Sequence, residues 1–120
     1  MIKTFRDLNT WKEAHSLVLL VYSLLKKFPA EERYALSDQL RRAVISISSN
    51  IAEGFSRQTK KEKQQFYFMS KGSLTEIENQ LLVARDLHYI SDDEFLKVES
   101  KIHSVGMLLT GLIRSTSSYL

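Results

Sequence analysis

The residues best suited to chemistry in this sequence are its three histidines, His15, His88 and His103. No two of them stand four residues apart, so the His-x-x-x-His spacing of helical zinc sites is absent. None follows a glutamate by three residues, which excludes the Glu-x-x-His pairs that hold di-iron centres in helical bundles. Glu99 and His103 can meet across one helical turn, which we interpret as a surface contact. The histidine spacing therefore predicts no metal site.

Nucleophiles and phosphate-binding loops are also missing from the sequence. There is no cysteine, no P-loop and no Gly-x-Gly-x-x-Gly motif. Ser46, Ser48 and Ser49 have no general base with an orienting partner nearby. Glu76 and Glu78 point about 200° apart on a helix and cannot act as a carboxylate pair. The sequence therefore predicts no catalytic residue, no cofactor and a non-enzymatic protein.

Basic residues cluster in the middle of the chain, although the net charge of +3 is too small by itself to indicate a nucleic-acid-binding protein. Residues 57–71 carry five Lys and Arg side chains against Glu62 alone, and aromatic residues interleave with them. Two further arginines lie on the adjoining predicted helix. The predicted phosphate contacts are Arg41, Arg42, Arg57, Lys60, Lys61, Lys63 and Lys71. The alternative is that these charges only solvate the start of a helix.

The elements that must position these residues are all predicted to be helices. Apolar residues recur at alternating spacings of three and four, which is typical of amphipathic helices. Pro29 ends the first helix, and Gly54 is expected to cap the second. Thr59 or Ser56 is expected to begin the third helix and Ser91 the fourth. The predicted helices cover residues 7–27, 32–54, 59–88 and 91–117. One all-α domain over residues 1–120, an antiparallel up-down-up-down four-helix bundle, is the expected fold.

Composition agrees with a small globular domain. The 120 residues are 43% hydrophobic and 26% charged, with one proline and no cysteine. The longest apolar run, residues 17–25, is far shorter than the ~20 residues that cross a bilayer. Acidic residues before it and Lys26-Lys27 after it do not fit a signal peptide. We therefore expect a cytoplasmic protein with no membrane association.

Three of the predicted helices carry apolar residues off their core face, in heptad-like positions. Contiguous apolar patches of this kind usually mark interfaces, so we expect self-association. The predicted interface residues are Leu17, Leu20, Leu24, Ile45, Ala52, Phe68, Gly72 and Leu82. The alternative is a bundle that tolerates scattered exposed apolar residues.

Polar residues form strips along the facing sides of the second and third helices. Buried polar groups need partners, so these strips are expected to hydrogen-bond across the helix pair and fix its register. The predicted network consists of Ser46, Asn50, Glu53, Ser73 and Glu76.

Four segments carry a resemblance to a known family. They are Phe5-Arg6-Asp7-Leu8 with Trp11, Leu36 with Gln39-Leu40-Arg41-Arg42-Ala43, Ser46-Ile47-x-x-Asn50-Ile51-Ala52-Glu53-Gly54, and Gly72-Ser73-Leu74-x-Glu76. They resemble the bacterial four-helix-bundle, or 23S rRNA-intervening-sequence, proteins, and the match to that family covers nearly the whole chain in the right order. Many relatives have a proline where this chain has Ser48-Ser49, so the second helix is expected to be straighter here.

The resemblance implies an antiparallel bundle that assembles as a homopentameric ring. The accessory protein of diversity-generating retroelements is similar, and it is a basic five-copy barrel that binds nucleic acid and a reverse transcriptase. The family's molecular role is poorly defined. The expected partners are copies of this chain, RNA or DNA, and a nucleic-acid-processing protein.

Two functions fit the sequence. The leading hypothesis is a homo-oligomer whose basic surface binds nucleic acid without sequence specificity, most simply RNA or an RNA–protein complex. The alternative is a scaffold that docks a protein through Phe68, Gly72 and Leu82 and does not bind nucleic acid.

Overall fold

A computed structural model describes residues 1–117, and the elements within them are helical. The four long helices are α1 (Asn9–Leu25), α2 (Leu36–Ser56), α3 (Lys60–Asp86) and α4 (Asp92–Ser115), with short 3-10 helices at Phe5–Asp7 and Ala30–Glu32. The predicted all-α fold and its four helices are confirmed. The α2 helix is continuous through Ser48 and Ser49.

Side-chain caps set where α3 and α4 begin, as the sequence predicted. The Thr59 hydroxyl accepts a hydrogen bond from the Glu62 N–H at 3.1 Å. At α4, Ser91 accepts from the Glu94 N–H at 3.1 Å, and the Glu94 carboxylate accepts from the Ser91 N–H at 2.9 Å. Each cap satisfies a backbone N–H that the first helical turn leaves without a partner.

Contacts between neighbouring helices establish that they run antiparallel. Thr10 near the start of α1 lies against Leu108 near the end of α4, and Lys27 after α1 forms an ion pair with Glu94. The same reversed order relates α2 to α3 and α3 to α4, in the pairs Ser46–Ser73, Gly54–Tyr67, Glu78–His103 and Leu74–Gly106. Each helix packs on two others, and α1–α3 and α2–α4 are the diagonal pairs. The bundle therefore has the up-down-up-down order.

Gly54 does not cap α2, so that prediction was wrong. It lies inside the helix with an ordinary negative φ, and α2 continues to Ser56. A side chain is excluded here because a Cβ on Gly54 would lie 2.6 Å from Cε1 of the buried Tyr67 ring. The left-handed residue is instead His88, which has φ 65° and ends α3 in an exposed turn.

The buried face of α1 is broader than the heptad-like spacing of its apolar residues suggested. Leu17 has 0% of its surface exposed and Leu24 has 6%, so both belong to the chain's own core. Their prediction as interface residues was wrong, because a helix in a four-helix bundle packs against two neighbours and buries a stripe broader than one row of side chains. Among residues 1–117, no helix has the length and apolar character to cross a membrane.

Candidate nucleic-acid interface

Charge is distributed unevenly along the bundle axis. We define the basic end as residues 1–12, 53–63 and 111–117, and the opposite end as residues 22–42 and 83–97. The antiparallel order brings each set of segments together. The basic end holds eight Lys and Arg side chains against three carboxylates, whereas the opposite end holds seven against seven. The excess positive charge therefore lies at one end of the molecule.

Lys60 and Lys61 are two accessible cations of the basic end. Both lie in the first turn of α3 and are exposed. Among the described residues, no carboxylate lies within ion-pair distance of either ammonium group. Exposed, unpaired lysines at a helix terminus can approach a phosphate backbone without breaking any contact of the fold.

Two other predicted phosphate contacts are engaged in holding the α2–α3 link. The Lys63 ammonium donates a 2.6 Å hydrogen bond to the carbonyl of Phe55, which satisfies a C-terminal carbonyl of α2. The Arg57 guanidinium lies 4.6 Å from the Phe66 ring centroid and 3.2 Å from a Glu53 carboxylate oxygen. Lys63 and Arg57 therefore hold the link in position. They add to its positive electrostatic potential but offer few free hydrogen-bond donors to a ligand.

The structure does not place Arg41, Arg42 and Lys71 with this cluster, and their role as phosphate contacts stays a prediction. Arg41 and Arg42 share Asp38, at 3.7 and 3.0 Å, and lie at the opposite end. Their Cα atoms are about 24 Å along the α2 axis from Arg57, at 1.5 Å per residue. Lys71 is exposed on α3 but lies about 16 Å along the axis from Lys60.

Four basic residues that the sequence reasoning missed lie at the basic end. They are Lys3, Arg6, Lys12 and Arg114. Their sequence positions are distant from residues 57–63, but the start of α1 and the end of α4 meet the α2–α3 link in an antiparallel bundle. The predicted topology was the signal that could have identified them.

Backbone hydrogen bonds fix the N-terminal segment of the basic end. The Asp7 carboxylate accepts from the N–H groups of Thr4 and Lys3, each at 2.9 Å. These hydrogen bonds hold the pKa of Asp7 below its ordinary value. Phe5 packs edge-on against Trp11, with ring centroids 5.2 Å apart. Residues 3–7 are thereby held against α1.

The predicted polar network is present in its serine and asparagine part. Ser46 and Ser73 hydroxyls lie 2.9 Å apart across α2 and α3, and Asn50 donates to the Ser46 hydroxyl at 3.0 Å. The buried Ser70 hydroxyl, on the same polar strip of α3, donates to the Ile47 carbonyl at 2.7 Å. These bonds tie α2 to α3.

Glu53 and Glu76 do not join that network, so their assignment was wrong. Both side chains are exposed and pair with a residue four positions further along the chain, Glu53 with Arg57 and Glu76 with Gln80 at 3.0 Å. An exposed carboxylate keeps its hydration and gains little from crossing to a neighbouring helix.

The remaining predicted interface residues differ in how much of their surface is buried. Leu20 and Leu82 are half-buried and pack against the chain's own core, and Ala52 is half-buried on α2. Ile45 and Phe68 are 42% and 53% exposed. A Cβ added to the exposed Gly72 would meet no atom within 4 Å, so the helix face at this residue is open.

Fold and charge together define an all-α four-helix-bundle protein with one strongly basic end. The chain belongs to the 23S rRNA-intervening sequence protein family, whose sequence profile matches residues 6–111.

Comparison with solved structures supports the fold. A crystal structure of a protein of unknown function from the S23 ribosomal protein family of Bacteroides thetaiotaomicron is similar, with a TM-score of 0.80 and 19% sequence identity. The match covers 87% of this chain and 97% of the other. No curated protein matches the sequence at a significant level.

Proposed function

We propose that this protein is a non-enzymatic, cytoplasmic nucleic-acid-binding bundle whose basic end contacts phosphate groups without reading sequence. The observation that supports this most directly is the excess of eight basic over three acidic side chains at that end. A local excess of positive charge raises the concentration of polyanions at a surface even where the net charge of the whole chain is small.

The kind of contact available favours backbone binding over base recognition. Lysine is a flexible point charge that suits phosphate, whereas base readout uses rigid side chains placed in a groove or aromatic faces that stack on bases. Two of the three aromatic residues at positions 66–68 are already used, since Tyr67 is buried and Phe66 lies under Arg57, whereas Phe68 is exposed. We therefore infer affinity that depends on salt more than on sequence.

A titration of fluorescein-labelled single-stranded RNA of random sequence tests this proposal. Fluorescence anisotropy should report binding at 50 mM salt that weakens steeply up to 300 mM, with similar affinities for unrelated sequences. Absence of binding at the lowest salt would overturn the proposal.

We also propose that the chain works as a homo-oligomer, with the pentamer that the family resemblance implies as the expected state. Exposed apolar residues on the outer face of α3 support this, since Phe68 and Met69 are 53% and 55% exposed beside the open Gly72. A ring of copies would repeat the basic end around one axis and strengthen its potential. Sedimentation velocity over a range of concentrations measures the copy number directly.

The second candidate is a protein-interaction scaffold, which the same exposed Phe68 and Met69 favour. In that case these residues would contact a different protein, and the basic end would only keep the chain soluble. RNA binding that is absent at low salt, together with a sedimenting single chain, would support the scaffold over the nucleic-acid-binding oligomer.

A further inference from the structure

A cluster of three potential metal ligands lies between α3 and α4, nearer the opposite end of the bundle than the basic end. Glu99 and His103 are one turn apart on α4, and Glu78 reaches them from α3. The His103 Nε2 atom lies 3.6 Å from a Glu78 carboxylate oxygen. One ligand atom from each of the three residues lies within 4.8 Å of the other two.

The surroundings leave this cluster accessible and its carboxylates short of counter-charge. Glu78 and Glu99 are half-buried, and Glu99 has no ion-pair partner among residues 1–117. A groove of about 350 Å³ between α3 and α4 is lined by Glu78 and His103 together with Lys71, Thr75 and neighbouring apolar residues. A ligand could enter through this groove.

We propose that Glu78, Glu99 and His103 form a binding site for a divalent transition metal ion of the zinc type. One imidazole and two carboxylates match the ligands that zinc accepts, whereas calcium and magnesium are bound by oxygen atoms alone. Zinc bonds of about 2.0–2.2 Å require the three ligand atoms to approach one another more closely, which takes rotamer changes in the exposed His103 ring and in the two glutamate side chains.

Three protein ligands leave at least one coordination position open, and two of the three, Glu78 and His103, line the groove. The bound ion would link α3 to α4 and present a Lewis-acidic position to a water molecule or an anionic ligand in the groove. The sequence predicted no metal site because Glu78 comes from a different helix and lies 25 residues from His103.

Isothermal titration calorimetry with ZnCl₂, on the full chain without nucleic acid, tests the site. We expect one zinc ion per chain, and an affinity at least about tenfold weaker in His103→Ala and in Glu78→Gln. His88→Asn is the matched control, because His88 is exposed in the turn after α3 and asparagine tolerates its left-handed conformation. The control should bind zinc as the unaltered chain does.

Two outcomes would overturn the proposal: no saturable binding by the unaltered chain, or binding that His103→Ala and Glu78→Gln leave unchanged. Circular dichroism establishes that the variants are folded, and the substitutions lie on the surface or are nearly isosteric. The visible spectrum of the Co²⁺-loaded chain gives a second readout. An imidazole- and carboxylate-bound Co²⁺ spectrum should appear in the unaltered chain and in His88→Asn, and disappear in His103→Ala.

Discussion

Replacing Lys60 and Lys61 by glutamine should weaken RNA binding without affecting the fold. Both side chains are exposed at the start of α3 and make no hydrogen bond or ion pair within the described residues. Glutamine has a helix propensity close to that of lysine, so α3 should begin at the same place. Lys63 is left unchanged because its ammonium group caps the α2 carbonyls.

The expected loss follows from counterion release. Each phosphate contact contributes a slope of about 0.7 for single strands and about 0.9 for duplexes in the dependence of log affinity on log salt. Two lost contacts therefore reduce the slope by about 1.4–1.8, which corresponds to roughly 25–60-fold weaker binding at 0.1 M salt. An RNA that spans several copies of the chain would lose more.

The assay is fluorescence anisotropy of labelled RNA at four or more salt concentrations. The matched control replaces Lys26 and Lys97, which are exposed at the opposite end, by glutamine. Both double variants lower the net charge of the chain from +3 to +1, but only the first lowers the charge of the basic end. Equal losses in the two variants would refute the reasoning, because binding would then depend on total charge alone.

Three further predictions concern the helices themselves. Gly54→Ala should destabilise the chain by about 1–3 kcal/mol in urea unfolding, because the added Cβ would clash with the buried Tyr67 ring; an unchanged stability would contradict that packing. Gly72→Ala and Gly111→Ala should each stabilise their helix by up to about 1 kcal/mol, since both sites are open. If Gly72 lies at a subunit interface, only Gly72→Ala should also weaken self-association in sedimentation velocity, and equal behaviour of the two variants would remove Gly72 from that interface. Leu17→Ala should lower the free energy of unfolding by about 2–5 kcal/mol even in dilute protein. A loss below about 1 kcal/mol would contradict the burial of Leu17 in the chain's own core.

Local signals in the sequence were sufficient to predict the four helices and two of their starts. Thr59 and Ser91 each precede a glutamate by three residues, and a capping hydroxyl at that spacing satisfies backbone N–H groups within the same segment. Such interactions need no information from distant residues. Ser46 and Ser73 were also paired correctly, because antiparallel packing brings their facing strips together.

Features that depend on which helices pack against each other were harder to predict. Leu17 and Leu24 lie off the main apolar row of α1, and only the presence of two adjoining helices determines that both are buried. The sequence suggests that Gly54 caps α2 because glycine is common at the C-terminal end of helices. In the structure, the Tyr67 ring is what requires a glycine at this position. The residues near Gly54 in the sequence do not indicate that a ring from another helix packs against it.

The basic end illustrates the same limit for function. Residues 57–63 were recognisable as a run of cations, but Lys3, Arg6 and Arg114 contribute to the same surface through the topology of the bundle. Conversely, Arg41 and Arg42 lie on α2, the helix that leads into residues 57–63, but they are at its far end beside Asp38. Position along the helix axis therefore decides membership of the surface.

Lysine footprinting by mass spectrometry tests the central claim most directly. The chain is briefly acetylated with and without saturating RNA at low salt, and the modification of each lysine is quantified. Phosphate binding at the basic end should protect Lys60 and Lys61 and leave Lys26 and Lys97 as reactive as before. Protection of Lys26 and Lys97 to the same extent, or of neither pair in the bound complex, would contradict the account.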